Sequence, residues 1–374
     1  MKNIANIVLN DFTNDSRVLK TSNSLIQFGY KVTVVAMHGK GLVEKEMIGD
    51  INVDRVKLTS RSWPKYKPIQ LLKYFEFVCR AFWRYKSVDI IHCNDLSTLP
   101  VGLLIKLLGK DVKVVYDCHE YETEINGLKG LEKKVKKNLE RLLIRFSDQV
   151  ITVSDSIADE YVRLYGIPKP RLVLNCPPYQ RTAEYNIFRE TFGIREDQHI
   201  FLYQGGLSKG RGIEILLEAF EKVSSDKNVL VCMGYGPLKN LIEEKSKLSN
   251  NIYCHPAVSP QVLLKYTSSA DHGILFYEDT CLNHRYCSPN KIFEYMMAGL
   301  PVLVSNLYEM KRLVEAHEVG IVAAENSVQS FKQAVEMSVN QNYGKTVENV
   351  IKASEFFCWE AQEKVLREVY RDIS

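Results

Sequence analysis

The chain has 374 residues, of which 45% are hydrophobic, 10% aromatic and 25% charged, a composition that excludes a disordered, collagenous or coiled-coil protein. Its 49 Lys and Arg nearly balance 45 Asp and Glu, and the length suits two domains, each able to bury its own core. No apolar run reaches the roughly 18 residues of a membrane span and the N-terminus lacks the form of a signal peptide, so a cytoplasmic protein is expected.

Short β-branched or apolar runs at residues 4 to 9, 31 to 36, 88 to 93 and 112 to 117 predict strands, with amphipathic helical stretches between most of them, the first at 17 to 28. Between residues 61 and 86, Leu71, Phe75, Val78 and Phe82 fall on one helical face, and Lys73, Arg80 and Arg84 fall roughly opposite. Two accounts of that helix stay open: an interfacial helix on a membrane, or a core-packed helix with a solvated basic back. Residues 148 to 153 predict another strand, after which Ser154 and Asp155 cap a helix closed by Gly166 and Pro168. Residues 172 to 180, with a Pro pair, read as a linker.

A second alternating series begins at residue 199. HIFLYQ runs into the Gly-rich GGLSKGRG and a helix, VLVCMG into GYGP and a helix, and DHGILFY is followed by SPNKIFEYMMAG and PVLVSN. Residues 355 to 374 read as one helix with Phe357, Ala361, Val365 and Val369 on one side. Strands followed by helices throughout predict parallel sheets with helices on both faces, and ligands beyond the carboxyl ends of the strands. Two such sheets would make a cleft between domains.

Charge divides unevenly: up to residue 175 there are 28 basic and 20 acidic residues, so the first half would face an anionic partner. The excess concentrates in residues 61 to 86 and 129 to 145, which makes an anionic membrane surface a candidate partner. No recognition motif accompanies the charge, so nucleic acid is not expected. Nine cysteines without a CxxC pair suit reduced thiols. Cys281, His284 and Cys287 offer three ligands with no evident fourth, and no metal is expected there.

The segment from Ser288 to Pro301 carries the most chemistry. Ser288 is placed to cap a helix, Pro289 suits its first position and Gly299 can end it. The free N–H groups and positive dipole of such a helix start suit a phosphate, and Lys291 adds a charge. Glu294, one turn on, could accept both ribose hydroxyls of a nucleotide; a surface Lys–Glu pair is the plainer alternative. In the loop from Gly205 to Gly212, glycines let the backbone approach phosphate, and Lys209 and Arg211 could neutralise a pyrophosphate without a metal. Arg211-Gly212 stands where a Walker loop needs Lys and Ser or Thr, so ATP hydrolysis is not expected.

In combination these segments resemble glycosyltransferase family 4, the retaining nucleotide-sugar glycosyltransferases of GT-B fold. The resemblance also takes in Asp15-Ser16-Arg17-Val18, residues Val88 to Asp95, Val115 to Glu120, Ile151 to Ser154, Ala270-Asp271 and Trp359-Glu360, so it runs nearly end to end. It implies two Rossmann-like domains facing each other across a cleft: an acceptor-binding domain at 1–178, a nucleotide-sugar domain at 179–354, and a helix at 355–374 crossing back to the first. By the resemblance Glu294 matches the second Glu of an E-x7-E motif, which holds the ribose, and Arg211 the basic residue that contacts the donor phosphates. His119 matches the first-domain active-site His that faces the donor sugar.

Two positions depart from that pattern. Tyr286 replaces the first Glu of E-x7-E, so Asn283, Tyr286 or Asn290 would have to hold the sugar. Gly206 replaces an Arg, a loss that Lys209 could offset. His119, Glu120 and Asp95, each at a strand end, are the candidates to assist transfer; His92 reads more simply as a packed imidazole. Asp15 and Arg17 could bind acceptor or serve as a helix cap and a surface ion pair.

The function so implied is hexosyl transfer with retention from a UDP-sugar, favoured over a GDP-sugar, to a lipid-linked or polysaccharide acceptor in cell-surface glycan synthesis. Neither cofactor nor metal is expected, and a peripheral site on the inner membrane face is compatible with the basic first half. A nucleotide-sugar epimerase of the same fold and a non-catalytic partner protein are the alternatives.

Overall fold

The computed structural model describes residues 1–181, 183–340 and 342–374 and divides into two units, Met1–Val173 with Glu363–Ser374, and Leu174–Gln362. In the first unit the order is β1 (Asn3–Ile7), α1 (Ser16–Gln27), β2 (Lys31–Met37), β3 (Lys45–Ile48), β4 (Ile51–Val56) and α2 (Lys67–Tyr85). There follow β5 (Ile90–Asn94), α3 (Leu99–Leu108), β6 (Lys113–Cys118), α4 (Gly130–Leu143), β7 (Gln149–Thr152), α5 (Asp155–Tyr165) and β8 (Arg171–Leu172). The sheet runs β3-β4-β2-β1-β5-β6-β7-β8, parallel except for the β3–β4 pair. Valine and isoleucine fill β1, β2, β5 and β6, whose core positions are almost wholly buried.

The second unit runs through α6 (Ile187–Phe192), β9 (His199–Gly206), α7 (Ile213–Phe220), β10 (Asn228–Tyr235), α8 (Lys239–Leu248) and β11 (Ile252–Pro256). It continues with α9 (Pro260–Thr267), β12 (His272–Leu275), α10 (Leu282–Tyr286), α11 (Asn290–Met297), β13 (Val302–Val304), α12 (Tyr308–His317) and β14 (Gly320–Val322). Helices α13 (Val328–Asn340), α14 (Tyr343–Phe356) and α15 (Trp359–Arg371) end the chain. Its six strands pair in parallel in the order β11-β10-β9-β12-β13-β14.

Both sheets have the doubly wound arrangement that alternation predicted. The strand order reverses at β1, which lies between β2 and β5, and at β9, which lies between β10 and β12. At such a reversal the loops diverge and leave an opening beyond the carboxyl ends, which is where ligands bind in this architecture.

Three expectations need correction. The unit boundaries lie at residues 173 and 362 rather than 178 and 354. Strand β8 extends the first sheet and the Val173 carbonyl accepts from Arg17 Nη1 at 3.0 Å, while α14 packs on α11 and so stays with the second unit. The terminal helix starts at Trp359 rather than at residue 355: α14 ends at Phe356 and the chain bends at Phe357, whose ring packs against Phe293 with centroids 5.3 Å apart.

The third correction concerns α2: the account of a core-packed helix with a solvated basic back fails. Lys73 is buried and donates to the Trp63 carbonyl at 2.6 Å, Arg80 pairs with Glu76 at 2.8 Å, and Arg84 pairs with Asp54 at 2.7 Å. Phe77 and Ala81 face the core, whereas Leu71, Leu72, Phe75 and Trp83 are 54–68% exposed. Periodicity identifies two faces but not which one turns inward; here the burial of Lys73 on backbone acceptors leaves Leu71 and Phe75 outside, as on an interfacial helix, while Val78 is buried.

Candidate active site

In the second unit the reversal point brings the loop after β9 beside the start of α11. Gly205 has a φ of +118°, and a Cβ built there would fall on the Lys291 side chain, so the backbone passes the lysine with no room for a side chain. The Arg211 guanidinium lies over the Tyr277 ring, 4.2 Å from its centroid. Neither the Arg211 nor the Lys291 side chain has a hydrogen bond or ion pair among the described residues. Burial above all, with Arg211 nearby, lowers the Lys291 pKa from 10.5, against the pull of Glu294.

Glu294 is positioned from beneath. Gln204 Nε2 donates to its Oε2 at 2.6 Å, Thr267 Oγ1 donates to Gln204 Oε1 at 2.8 Å, and the Gln204 N–H donates to Tyr295 Oη at 3.0 Å. Gln204 is 2% exposed, so its amide has no competing water and the carboxylate is held by one oxygen. The other oxygen is unpaired among the described residues.

Ser288 does not cap α11. Pro289 occupies the cap position with extended backbone (φ −64°, ψ 136°), so the helix starts at Asn290, and Ser288 Oγ is buried without a partner among the described residues. Gly299 ends the helix as expected, with a φ of +79°. Lys209 and Asn290 are exposed, and Gly206 has open space where a side chain would project. Asn283 is buried in α10, and Tyr286 at that helix's end sets its ring edge against Tyr308. The structure thus gathers Gly205, Arg211, Lys291 and Glu294, at the start of the helix that follows Ser288. Close by in sequence, Cys281 Sγ accepts from the His284 N–H and His284 Nδ1 is 2.9 Å from the Glu278 carbonyl. Among the described residues no group of three His, Cys, Asp or Glu is placed to hold a metal ion.

In the first unit the corresponding loops follow β5 and β6. Asn94 Nδ2 donates to Asn6 Oδ1 at 2.6 Å and to the Ile7 carbonyl at 2.9 Å, which leaves its Oδ1 facing His119 Nε2 at 3.0 Å. Asp95 adopts a φ of +64°, accepts the His119 backbone N–H at 3.1 Å and sets its Oδ2 3.7 Å from His119 Nδ1. Burial opposes a charge on His119, but Asp95 and Asp117 outweigh it and raise its pKa from 6.5 to about 9. Both ring nitrogens then carry protons at neutral pH, in keeping with an acceptor opposite each.

Asp117, 1% exposed, anchors this arrangement. It takes two bonds from Arg17, at 3.0 and 2.7 Å, and lies 3.3 Å from His92 Nε2 and 3.6 Å from His119 Nε2. Arg17 is therefore a buried ion-pair partner, not a surface one, while Asp15 caps α1 through the Val18 N–H at 3.1 Å. His92 is fully buried, with Nδ1 2.6 Å from Tyr370 Oη on α15. Glu120 is exposed, and two residues on lies a group that the sequence did not single out. Burial, then Asp95 and Glu120, push the Glu122 carboxyl up to about 8. Only the fold of the 119–129 loop brings those carboxylates together, so spacing gave no sign of it.

Comparison with known proteins agrees with this fold. Residues 16–177 match the family described as Glycosyltransferase Family 4, and residues 198–341 match Glycosyl transferases group 1. An uncharacterized glycosyltransferase of Methanocaldococcus jannaschii is 27% identical over 80% of this chain and 77% of its own. The chitobiosyldiphosphodolichol beta-mannosyltransferase of Candida albicans is 23% identical over 89% of this chain and 79% of its own. Among solved structures, HepE of Anabaena in complex with UDP and glucose superposes with a TM-score of 0.74 at 15% identity, over 99% of this chain and 100% of that one. With one family match on each doubly wound unit and relatives of that same class, the chain is a GT-B glycosyltransferase.

Proposed function

We propose that the protein moves a hexosyl group from a UDP-sugar, in preference to a GDP-sugar, to a lipid-linked or polysaccharide acceptor of the cell surface, with retention of configuration and without a metal. The observation that carries this is the pair of unpaired cations, Arg211 and Lys291, beside a Glu294 carboxylate with one unpaired oxygen. The two cations and the N–H groups at the start of α11 suit a diphosphate, and Glu294 suits the two ribose hydroxyls. Support for the base comes from the UDP that HepE binds, and for a lipid-linked acceptor from the name of the Candida relative.

In the proposed transfer the bond from the anomeric carbon to the diphosphate oxygen breaks and a bond to the acceptor hydroxyl forms on the same face. The acceptor proton passes to the departing phosphate. Arg211 and Lys291 stabilise the charge that grows on that phosphate, the largest catalytic contribution available here. His119, protonated at neutral pH, assists as a hydrogen-bond donor rather than as a base, while Asp95 and Glu120 are the carboxylates available to the acceptor. Lys209, Ser288, Asn290 and Tyr286, together with the open backbone at Gly206, complete the proposed donor contacts. A cytoplasmic site of action at an anionic membrane surface belongs to the same proposal.

Titration calorimetry in EDTA with UDP and, separately, GDP tests it. Saturable binding of UDP is the expected result; binding of neither nucleotide would favour a non-catalytic role. Gly205→Ala should displace Lys291 and weaken UDP binding by more than about tenfold, the scale of one lost charge-assisted hydrogen bond. Unchanged affinity would remove Lys291 from the phosphate site. Transfer should also survive EDTA, and loss of activity restored by a divalent ion would refute the metal-free scheme.

A further inference from the structure

The charge and exposure of the first unit converge on one face. Helix α2 turns Leu72, Phe75 and Trp83 outward, at 55%, 54% and 68% exposure, and packs on α3, whose last turn leaves Leu107 79% and Leu108 61% exposed. Helix α3 packs in turn on α4, where Leu131, Val135 and Leu142 are 76%, 56% and 63% exposed. Lys67 Nζ, 3.2 Å from Glu132 Oε2, ties the start of α2 to the start of α4. Isolated exposed leucines are ordinary, but a run across three neighbouring helices is not.

Charge decides what covers this face. The three helices carry three acidic residues: Glu76, Glu132 and Glu140. Glu76 accepts from Thr59, Ser60 and Arg80, and Glu140 is fully buried under the hydroxyls of Tyr116, Tyr161 and Tyr165. Of the three, Glu132 is the one that stands exposed, already bonded to Lys67, while Glu76 is partly exposed and paired with Arg80. Exposed cations meanwhile border the apolar side chains, among them Lys65, Lys86, Lys110, Lys134, Arg141 and Arg145. An apolar strip bordered by cations and almost free of carboxylates complements an anionic lipid surface: hydrocarbon for the side chains, headgroup phosphates for the lysines and arginines.

We infer that the α2–α3–α4 face is the surface by which the protein docks on an anionic bilayer, with Phe75, Trp83 and Leu142 entering the acyl boundary. The inference rests on the membrane partner proposed above and names the face that makes the contact, the Leu71–Phe75 side that an interfacial helix presents. It also gives that contact a use in transfer. Tyr74 Oη of α2 donates to the Ser97 carbonyl in the loop that carries Asp95, and Lys133 of α4 holds Glu124 at 2.6 Å in the loop that follows His119. Docking by these helices therefore sets the two reactive loops of the first unit at the lipid margin, where a lipid-linked acceptor presents its headgroup.

Vesicle sedimentation provides the test. The intact protein should bind 1:1 phosphatidylglycerol–phosphatidylcholine vesicles and pure phosphatidylcholine at least about tenfold more weakly. Phe75→Glu combined with Leu142→Glu should reduce binding to the anionic vesicles at least about tenfold, since both side chains are exposed and their replacement leaves the core intact. Of the three tryptophans, Trp359 is buried at 5% exposure while Trp63 and Trp83 lie on or beside this face. Acyl-brominated lipid should therefore quench the fluorescence, and Trp83→Phe should remove most of that quenching. Absence of binding, or binding unaltered by the double substitution, would overturn the inference. So would a dimer in solution that the same substitution dissociates, because a second copy would then cover the face. UDP titration without vesicles should be the same for the double variant and the parent, which separates this outcome from the donor proposal.

Discussion

Replacing Glu294 with alanine should lower kcat/KM by about 10²- to 10³-fold, a loss of about 3–4 kcal/mol, comparable to two charge-assisted hydrogen bonds to the ribose hydroxyls. The substitution should also weaken UDP binding in the absence of acceptor, because the lost contacts are to the nucleotide rather than to the reacting carbon. One complication is structural: alanine leaves Gln204 Nε2, now bonded at 2.6 Å, buried without an acceptor, at a cost of about 1–3 kcal/mol to the second unit. Glu294→Gln resolves it. A glutamine oxygen can still accept from Gln204, so stability should return close to that of the parent, while the loss of charge keeps UDP binding weak. If the Gln variant binds UDP within about threefold of the parent, Glu294 does not hold the ribose and the donor site must be redrawn around Arg211 and Lys291.

The contrast between Glu294 and Glu122 shows what the sequence could and could not convey. The placement of Lys291 and Glu294 one turn apart near the start of α11 was legible because it is local, each position set by spacing along one helix. The strand–helix alternation was legible for the same reason, since β1, β5, β6 and β9 are short β-branched runs with a strong period of their own. Asp117 takes its character from a residue far away in the chain, Arg17 being 100 positions off, and Glu122 from burial and from Asp95 as well as the nearby Glu120, and no local pattern encodes the distant partners. Helix α2 is the intermediate case. Its two faces followed from the period, but their orientation depended on acceptors supplied by Asp54 and by the backbone at Arg61 and Trp63. The short β3–β4 pair escaped notice because β3 is half-exposed, Asp54 and Arg55 interrupt the apolar run of the buried β4, and the two are joined at Gly49, whose φ is +57°.

Asp117→Ala should destabilise the first unit by about 3–5 kcal/mol, because it strips a bidentate partner from an arginine that is only 3% exposed. Arg17 would retain the Val173 carbonyl as its remaining acceptor, and His92 would lose the carboxylate opposite its Nε2. A calorimetric scan should show the loss in the transition of the first unit, with that of the second unmoved. The pH dependence carries a second signature. In the parent, burial opposes the Asp117 charge, but Arg17, then His119 and His92, hold its pKa well below 3.8. Its stabilising contribution is therefore present above about pH 4 and is lost as pH falls through the folded value. His119 acts in the opposite direction: its pKa is raised from 6.5 to about 9, so its contribution is complete below pH 6.5 and disappears as pH rises to 9. Removing Asp117 takes away one of the two carboxylates that hold the His119 proton, so the alkaline decline should become smaller and end at lower pH. Urea melts at pH 5, 7 and 9 measure both effects. A variant whose alkaline decline matches that of the parent would show that Asp95 alone sustains the His119 charge.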